Sequence, residues 1–175
     1  DPPVEVVLLS RNSPETGLRV FASIAHHGLP ITRAAFTNGK APWPWLPGFG
    51  ASLFLSADPR DVAEAIAAGH AAGTVLPSTA VDDPGDRELR VAFDFDGVLA
   101  DDESERVYRD RGLAAYRAHE SALADTPLHP GPLGDFFVRL GALQARFRAL
   151  RDADPSSPSR LRLALVTARN APAIE

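Results

Sequence analysis

The sequence predicts an α/β protein, and three observations carry that expectation. Over the first 76 residues, short apolar runs alternate with segments of helical periodicity, the pattern of parallel strands joined by helical crossovers. The strand candidates are mostly apolar and rich in β-branched residues, as strands of a buried parallel sheet are. A pair of helical segments over 102–151 stands between two further strands. It is too long for a plain crossover and reads as a helical insertion placed to lid a site.

Val4-Glu5-Val6-Val7-Leu8-Leu9 reads as the first strand, ending at Ser10-Arg11-Asn12-Ser13-Pro14. Ser13 suits a helix N-cap and Pro14 the first helical position. Leu18, Phe21, Ala22 and Ile24-Ala25 then recur at helical spacing until Gly28 and Pro30 stop the helix. Ile31 to Phe36 is a second strand, followed by Thr37-Asn38-Gly39-Lys40. The Pro/Trp/Gly-rich stretch from Ala41 to Gly50 reads as a loop anchored by Trp43 and Trp45. Leu53-Phe54-Leu55 is a third strand; Asp58 before Pro59 caps a helix from Arg60 to Ala68; Gly73 to Leu76 is a fourth strand. Pro77 to Glu88 is polar and reads as a linker. A central strand follows over 89–96. Asp101-Asp102-Glu103-Ser104-Glu105 opens a helix to Ala118, with acids suited to its first turn. A loop from His119 to Pro132 precedes a second helix marked by Phe136, Phe137, Leu140, Leu143, Phe147 and Leu150. Asp152 to Ser159 is another linker, and Leu161 to Val166 the last strand, running into Thr167-Ala168-Arg169-Asn170-Ala171-Pro172.

Composition narrows the function. Of 175 residues, 45% are hydrophobic and 23% charged, ordinary for a globular chain. The net charge of −5 offers no basic footprint for nucleic acid or anionic lipid. No apolar run is long enough to span a bilayer and no secretory signal opens the chain. With no cysteine, thiolate metal sites and disulfides are excluded; the expectation is a cytoplasmic chain with no membrane partner. Lys40 is the single lysine. His26, His27, His70, His119 and His129 show no metal-ligand spacing.

The chemistry concentrates at Val91-Ala92-Phe93-Asp94-Phe95-Asp96-Gly97-Val98-Leu99. Residues i and i+2 of a strand share a face, so Asp94 and Asp96 come together where the strand ends and Gly97 lets the chain turn. Two like charges in an apolar run need compensation, and a divalent cation with oxygen ligands supplies it. An internal repeat adds to this. Leu8-Leu9-Ser10-Arg11-Asn12-Ser13-Pro14 matches Leu165-Val166-Thr167-Ala168-Arg169-Asn170-Ala171-Pro172 with one insertion, both at a strand-to-helix junction. The second copy stops three residues after its proline, which suggests a chain cut from a longer, duplicated protein.

Asp94-Phe95-Asp96-Gly97-Val98 after an apolar strand resembles motif I of the haloacid dehalogenase superfamily of phosphotransferases. Val91 to Glu105, together with 8–19, 31–37 and 53–58, resembles more narrowly the cytosolic 5′-nucleotidase type I family, over nearly the whole chain. The resemblance implies a Rossmann-like three-layer α/β/α fold with a parallel sheet and a small helical cap. Residues 1–80 would be an α/β half carrying motifs II–IV of a degenerate first repeat, 81–100 and 160–175 the core strands with motifs I and II of the second repeat, and 101–159 the cap. It implies a Mg²⁺-dependent phosphatase acting on nucleoside 5′-monophosphates, with homo-oligomerisation left open. Asp94 would be the nucleophile and a metal ligand through its side chain. Asp96 would be the acid/base and a metal ligand through its carbonyl, and Thr167 would hold a phosphoryl oxygen. Ser104, Arg169 and Lys40 would contact substrate.

The chain departs from the pattern after Thr167, where the lysine and acid pair of such enzymes would follow. Ser10, Lys40 and Asp58 occupy corresponding positions in the first half. They either complete a permuted site around Asp94 or are relics of a non-catalytic repeat, and the relic reading is preferred. Another phosphomonoesterase or phosphomutase of the superfamily, and a non-catalytic nucleotide-binding half, are the alternatives. A dehalogenase is disfavoured, because its chemistry has no use for the second acid.

Overall fold

In the computed structural model, which describes residues 4–81, 83 and 85–167, six strands pair in parallel, two by two. β1 (Val7–Ser10) pairs with β2 (Arg33–Phe36), β3 (Phe54–Ser56) with β4 (Ala72–Thr74), and β5 (Leu89–Asp94) with β6 (Leu161–Val166). The α/β class and the parallel pairing follow the sequence pattern. The single continuous sheet expected of a three-layer sandwich does not form among the described residues; three separate pairs stand in its place. Strands of three and four residues in the first half leave each ladder little length with which to recruit a further neighbour.

The chain divides into two units, Asp1–Pro77 and Ser78–Glu175, and the division falls at the start of the stretch read as a linker. In the first unit, a 3₁₀ turn at Pro14–Thr16 precedes α1 (Gly17–His26). Ser13 has the extended backbone of a cap but makes no side-chain capping bond. The core-facing positions of α1 are Gly17, Val20 and Ile24, one residue out of step with the expected stripe, and Leu18 is 82% exposed. Gly17 starts that face because the Phe36 ring lies directly against it.

Leu46 in α2 (Leu46–Phe49) joins Phe54, Val62, Ala65 and Ala72 in the first core, with Leu9 and Trp43 packed against it. Trp43 Nε1 also donates to Glu64 at 2.9 Å, while Trp45 is exposed; one tryptophan anchors the loop and the other does not. Asp58 caps α3 (Pro59–Ala67), accepting from the Arg60 N–H at 2.9 Å.

In the second unit, α4 (Glu103–Ala122) and α5 (Gly134–Ala153) lie between β5 and β6 in sequence. Phe93, Leu140 and Leu161 form the core, joined by Val91, Phe136, Phe137 and Leu163 among others. The Phe93 ring meets Phe137 edge-on at 5.2 Å. The opposite face of β5 and β6, bearing Ala92, Asp94, Ala164 and Val166, is exposed.

The expected first cap helix is two arms. Gly112 sits at φ 76°, ψ −178° inside α4, a conformation open to glycine and strained for other residues. An unbroken helix would hold residues 104 and 120 about 24 Å apart. Here the Ser104 hydroxyl donates to the Glu120 carboxylate, and Tyr108 and Tyr116 meet edge-on at 6.1 Å. The segment therefore doubles back on itself at Gly112, and its second arm ends four residues beyond the expected limit at Ala118.

Candidate active site

β5 delivers Asp94 to its carboxyl end, where ligands of parallel α/β folds bind. Strand alternation explains the orientation. Phe93 is buried against α5, so its neighbour Asp94 turns to the opposite, exposed face. The Asp94 Oδ1 accepts from the N–H of Phe95 at 2.7 Å, which fixes the carboxylate at the mouth of the loop. This corrects the expectation of a buried acid pair: Asp94 is exposed and Asp96 is half-buried. The ladder ends at Asp94, so the two acids do not continue one strand face; Asp96 instead bridges to Ala100.

The loop after Asp94 is tightly held. The carbonyl of Phe95 accepts from the N–H groups of Leu99 and Ala100, both at 3.0 Å. The segment 129–134 clamps the outer side. Asp101 N–H donates to His129 O (2.9 Å), Gly131 N–H to Leu99 O (2.8 Å) and Leu133 N–H to Val98 O (2.9 Å). A Cβ on Gly131 would run into the carbonyl oxygens of Val98 and Ala100. In the sequence this stretch reads as a plain loop, with the glycine between Pro130 and Pro132 its one visible signal.

Register brings a third group alongside. Asp94 is the Cα partner of Val166, so Thr167, next in the chain, emerges at the same end of the adjacent strand. Asp94 and Thr167 are 73 positions apart in the numbering and converge only because β5 and β6 pair. Arg169 lies outside the described residues. Ser104 is 1% exposed and bonds to Glu120, so its hydroxyl serves the fold-back of α4. Lys40, Ser10 and Asp58 belong to the first unit. Lys40 is exposed in the turn after β2, where its carbonyl accepts from Thr37 Oγ1. Ser10 Oγ accepts from the Asn12 N–H at 3.1 Å.

Six acids stand between Asp94 and Glu105, and the first base after them is Arg106, which pairs with Asp102 at 3.5 Å. Such a run attracts cations. Among the described residues no three His, Asp or Glu side chains converge as a metal-holding group. Asp94 and Asp96 offer oxygen donors only, a set that suits Mg²⁺, which takes one or two carboxylates and fills its shell with water and substrate phosphate.

An ion pair in the first unit escaped the sequence reading. Arg11, next after Ser10, donates through Nε (3.0 Å) and Nη2 to both oxygens of Asp61, and through Nη1 to Gly39 O (3.1 Å). Asp61 is 2% exposed. It ties the end of β1 to α3 and to the turn after β2. Partners fifty residues apart leave no local signature.

The profile of the 5′-nucleotidase family matches residues 1–175. Human cytosolic 5′-nucleotidase 1B is 37% identical over 167 residues, covering 95% of this chain and 27% of the relative. The chain thus spans about a quarter of the length of that curated relative. No solved structure matches it.

Proposed function

The chain belongs to the 5′-nucleotidase family, and on that premise we propose that the Asp94 loop is the reacting end of a phosphatase that hydrolyses nucleoside 5′-monophosphates to nucleoside and phosphate. The observation that carries the reading is the β5–β6 register, which sets Asp94 and the residue after Val166 at one end of a strand pair. An exposed carboxylate is open to in-line attack on a phosphate ester, and a hydroxyl at the same strand end suits a phosphoryl oxygen.

In this reading an Asp94 oxygen attacks phosphorus and the bond from phosphorus to the 5′ oxygen breaks. Asp96 gives its proton to the departing oxygen, and nucleoside leaves. Water then attacks the aspartyl-phosphate, Asp96 takes a proton from it, and phosphate departs with Asp94 restored. The Thr167 hydroxyl donates to a phosphoryl oxygen throughout, and Arg169, two residues on, is proposed as a further phosphate ligand. Mg²⁺ held by Asp94 and Asp96 would offset the charge repulsion between carboxylate and phosphate.

The test is Mg²⁺-dependent phosphate release from a panel of 5′-monophosphates, with Asp94→Asn as control. Turnover is expected to fall by about a thousandfold or more in the variant. Undiminished turnover would remove Asp94 as nucleophile, and activity on sugar phosphates alone would remove the substrate class. Nucleotide binding without turnover is the second reading; it is favoured by the lack, among the described residues, of a third metal-holding side chain. A chain inactive alone, whose extension past Glu175 is active, would exclude a site completed by Ser10, Lys40 and Asp58.

A further inference from the structure

The second unit carries a cavity of about 230 Å³ lined by Gln144, Phe147, Arg148, Arg151, Ser159, Leu161 and Arg162. Three elements converge there: the last turns of α5, the segment before β6, and the first residues of β6. Three guanidinium groups line one concavity in a chain whose net charge is −5. Arg148 and Arg151 are three apart on α5, so they project side by side, and like charges so placed repel. Among the described residues neither forms an ion pair with a carboxylate; Arg148 donates only to Gln144, at 3.2 Å. Arg162 is oriented from behind by Glu88, which accepts from its Nη2 at 3.0 Å. The same carboxylate accepts from Arg90 at 3.0 Å and bonds the Ser159 hydroxyl. Glu88 therefore positions two lining groups while its own charge is answered by Arg90 and Arg162.

A favourable interaction with the helix dipole accounts for Arg151 in the last turn of α5. It does not account for Arg148 three residues earlier; Gln144, which donates to Leu161 O at 3.3 Å, and Ser159 and Arg162, which meet Glu88, are held at the same cavity by the fold. We infer that this cavity is a binding site for a phosphate-class oxyanion, either free phosphate or the phosphate of a small monoester, with Phe147 and Leu161 as an apolar floor. Guanidinium groups bind tetrahedral oxyanions through paired N–H donors, and bound anion would relieve the repulsion between Arg148 and Arg151. The site is separate from the Asp94 loop. Arg162 pairs in register with Arg90, four residues before Asp94, which sets it about 13 Å along the strands from the Asp94 end.

Calorimetric titration of the whole chain with inorganic phosphate, without Mg²⁺, tests this. Arg148→Gln/Arg151→Gln should bind phosphate about tenfold more weakly or worse, and the charge-matched Arg139→Gln/Arg146→Gln, exposed on the same helix outside the cavity, should bind as the parent does. The Arg148→Lys/Arg151→Lys variant controls for charge and folding, and should fall between the two. A parallel titration with a nucleoside 5′-monophosphate separates the sources. The part of that binding lost with Arg148 and Arg151 belongs to this cavity: if it equals the affinity for phosphate, the phosphate group is the whole determinant, and if it is tighter, Phe147 and Leu161 add a contact. Absence of saturable phosphate binding, undiminished binding by the Arg148→Gln/Arg151→Gln variant, or an equal loss in the Arg139→Gln/Arg146→Gln control would overturn the inference. None of these outcomes depends on turnover, so failure of the nucleotidase reading leaves the result interpretable.

Discussion

Asp94 ends β5 in the open, with one carboxylate oxygen held by the next N–H in the chain, while Asp96 is half-buried in a clamped loop. The two acids thus occupy different surroundings, as a nucleophile and an acid/base require. If Asp96 protonates the leaving oxygen, its loss matters most where the leaving group is poor. Asp96→Asn should lower turnover of a nucleoside 5′-monophosphate by about a hundredfold or more, but turnover of p-nitrophenyl phosphate much less; equal losses on both esters would count against that role. Arg11 and Asp61 act at the same scale on stability. Asp61→Ala removes the carboxylate that ties β1 to α3, and the urea midpoint of the first unit should fall; an unchanged midpoint would show the pair to be idle. The acid pair was legible because two carboxylates in an apolar run are conspicuous. The Arg11–Asp61 pair was not, because each residue alone looks like an ordinary strand-end base or first-turn acid.

At the scale of elements, strands and helices were readable to within a few residues because their apolar runs are short and punctuated. β6 and α5 fall nearly where periodicity puts them. The doubling-back of α4 leaves no such mark in the sequence. Its first arm is almost entirely charged and polar, so no apolar stripe runs through Gly112 whose change of phase could mark the turn. Gly112→Ala places a side chain at φ 76° and favours one continuous helix. Spin labels on the two arms should then report a separation longer by about 10 Å or more, approaching the rod-like spacing of about 1.5 Å per residue. An unchanged distance would mean the contact from Ser104 to Glu120 suffices without the glycine. Gly131 is the other element-scale constraint. Gly131→Ala must displace carbonyls of the Asp94 loop, a strain of about 1–3 kcal/mol, and should lower both thermal stability and phosphatase turnover. A substitution neutral in both measurements would show that the 129–134 clamp is dispensable.

For the whole molecule, several carboxylates share a direction of stabilisation. The backbone N–H of Arg60 and then its side chain hold Asp58 below its ordinary 3.8. The backbone N–H of Glu88 and then Arg90 lower Asp86, and the Ser159 hydroxyl, followed by Arg162 and Arg90, lowers Glu88 from 4.5. Folded values below unfolded ones contribute stability that is present above the unfolded values and lost as pH falls through the folded ones. The melting temperature should therefore be flat near neutrality and drop below about pH 4.5; scanning calorimetry across that range checks it, and a midpoint rising with acid would contradict it. The α/β class, the strand candidates, the polar stretch from Pro77 and the acidic strand end are legible without a structure, because each is written in neighbouring residues. Tertiary packing sets which strands pair, exposes Asp94 and brings the residue beyond Val166 to the same strand end. It also decides that Ser104 turns inward to Glu120 and that three arginines line one cavity. These are meetings of residues far apart in the chain, set by register and packing, and no local pattern encodes them.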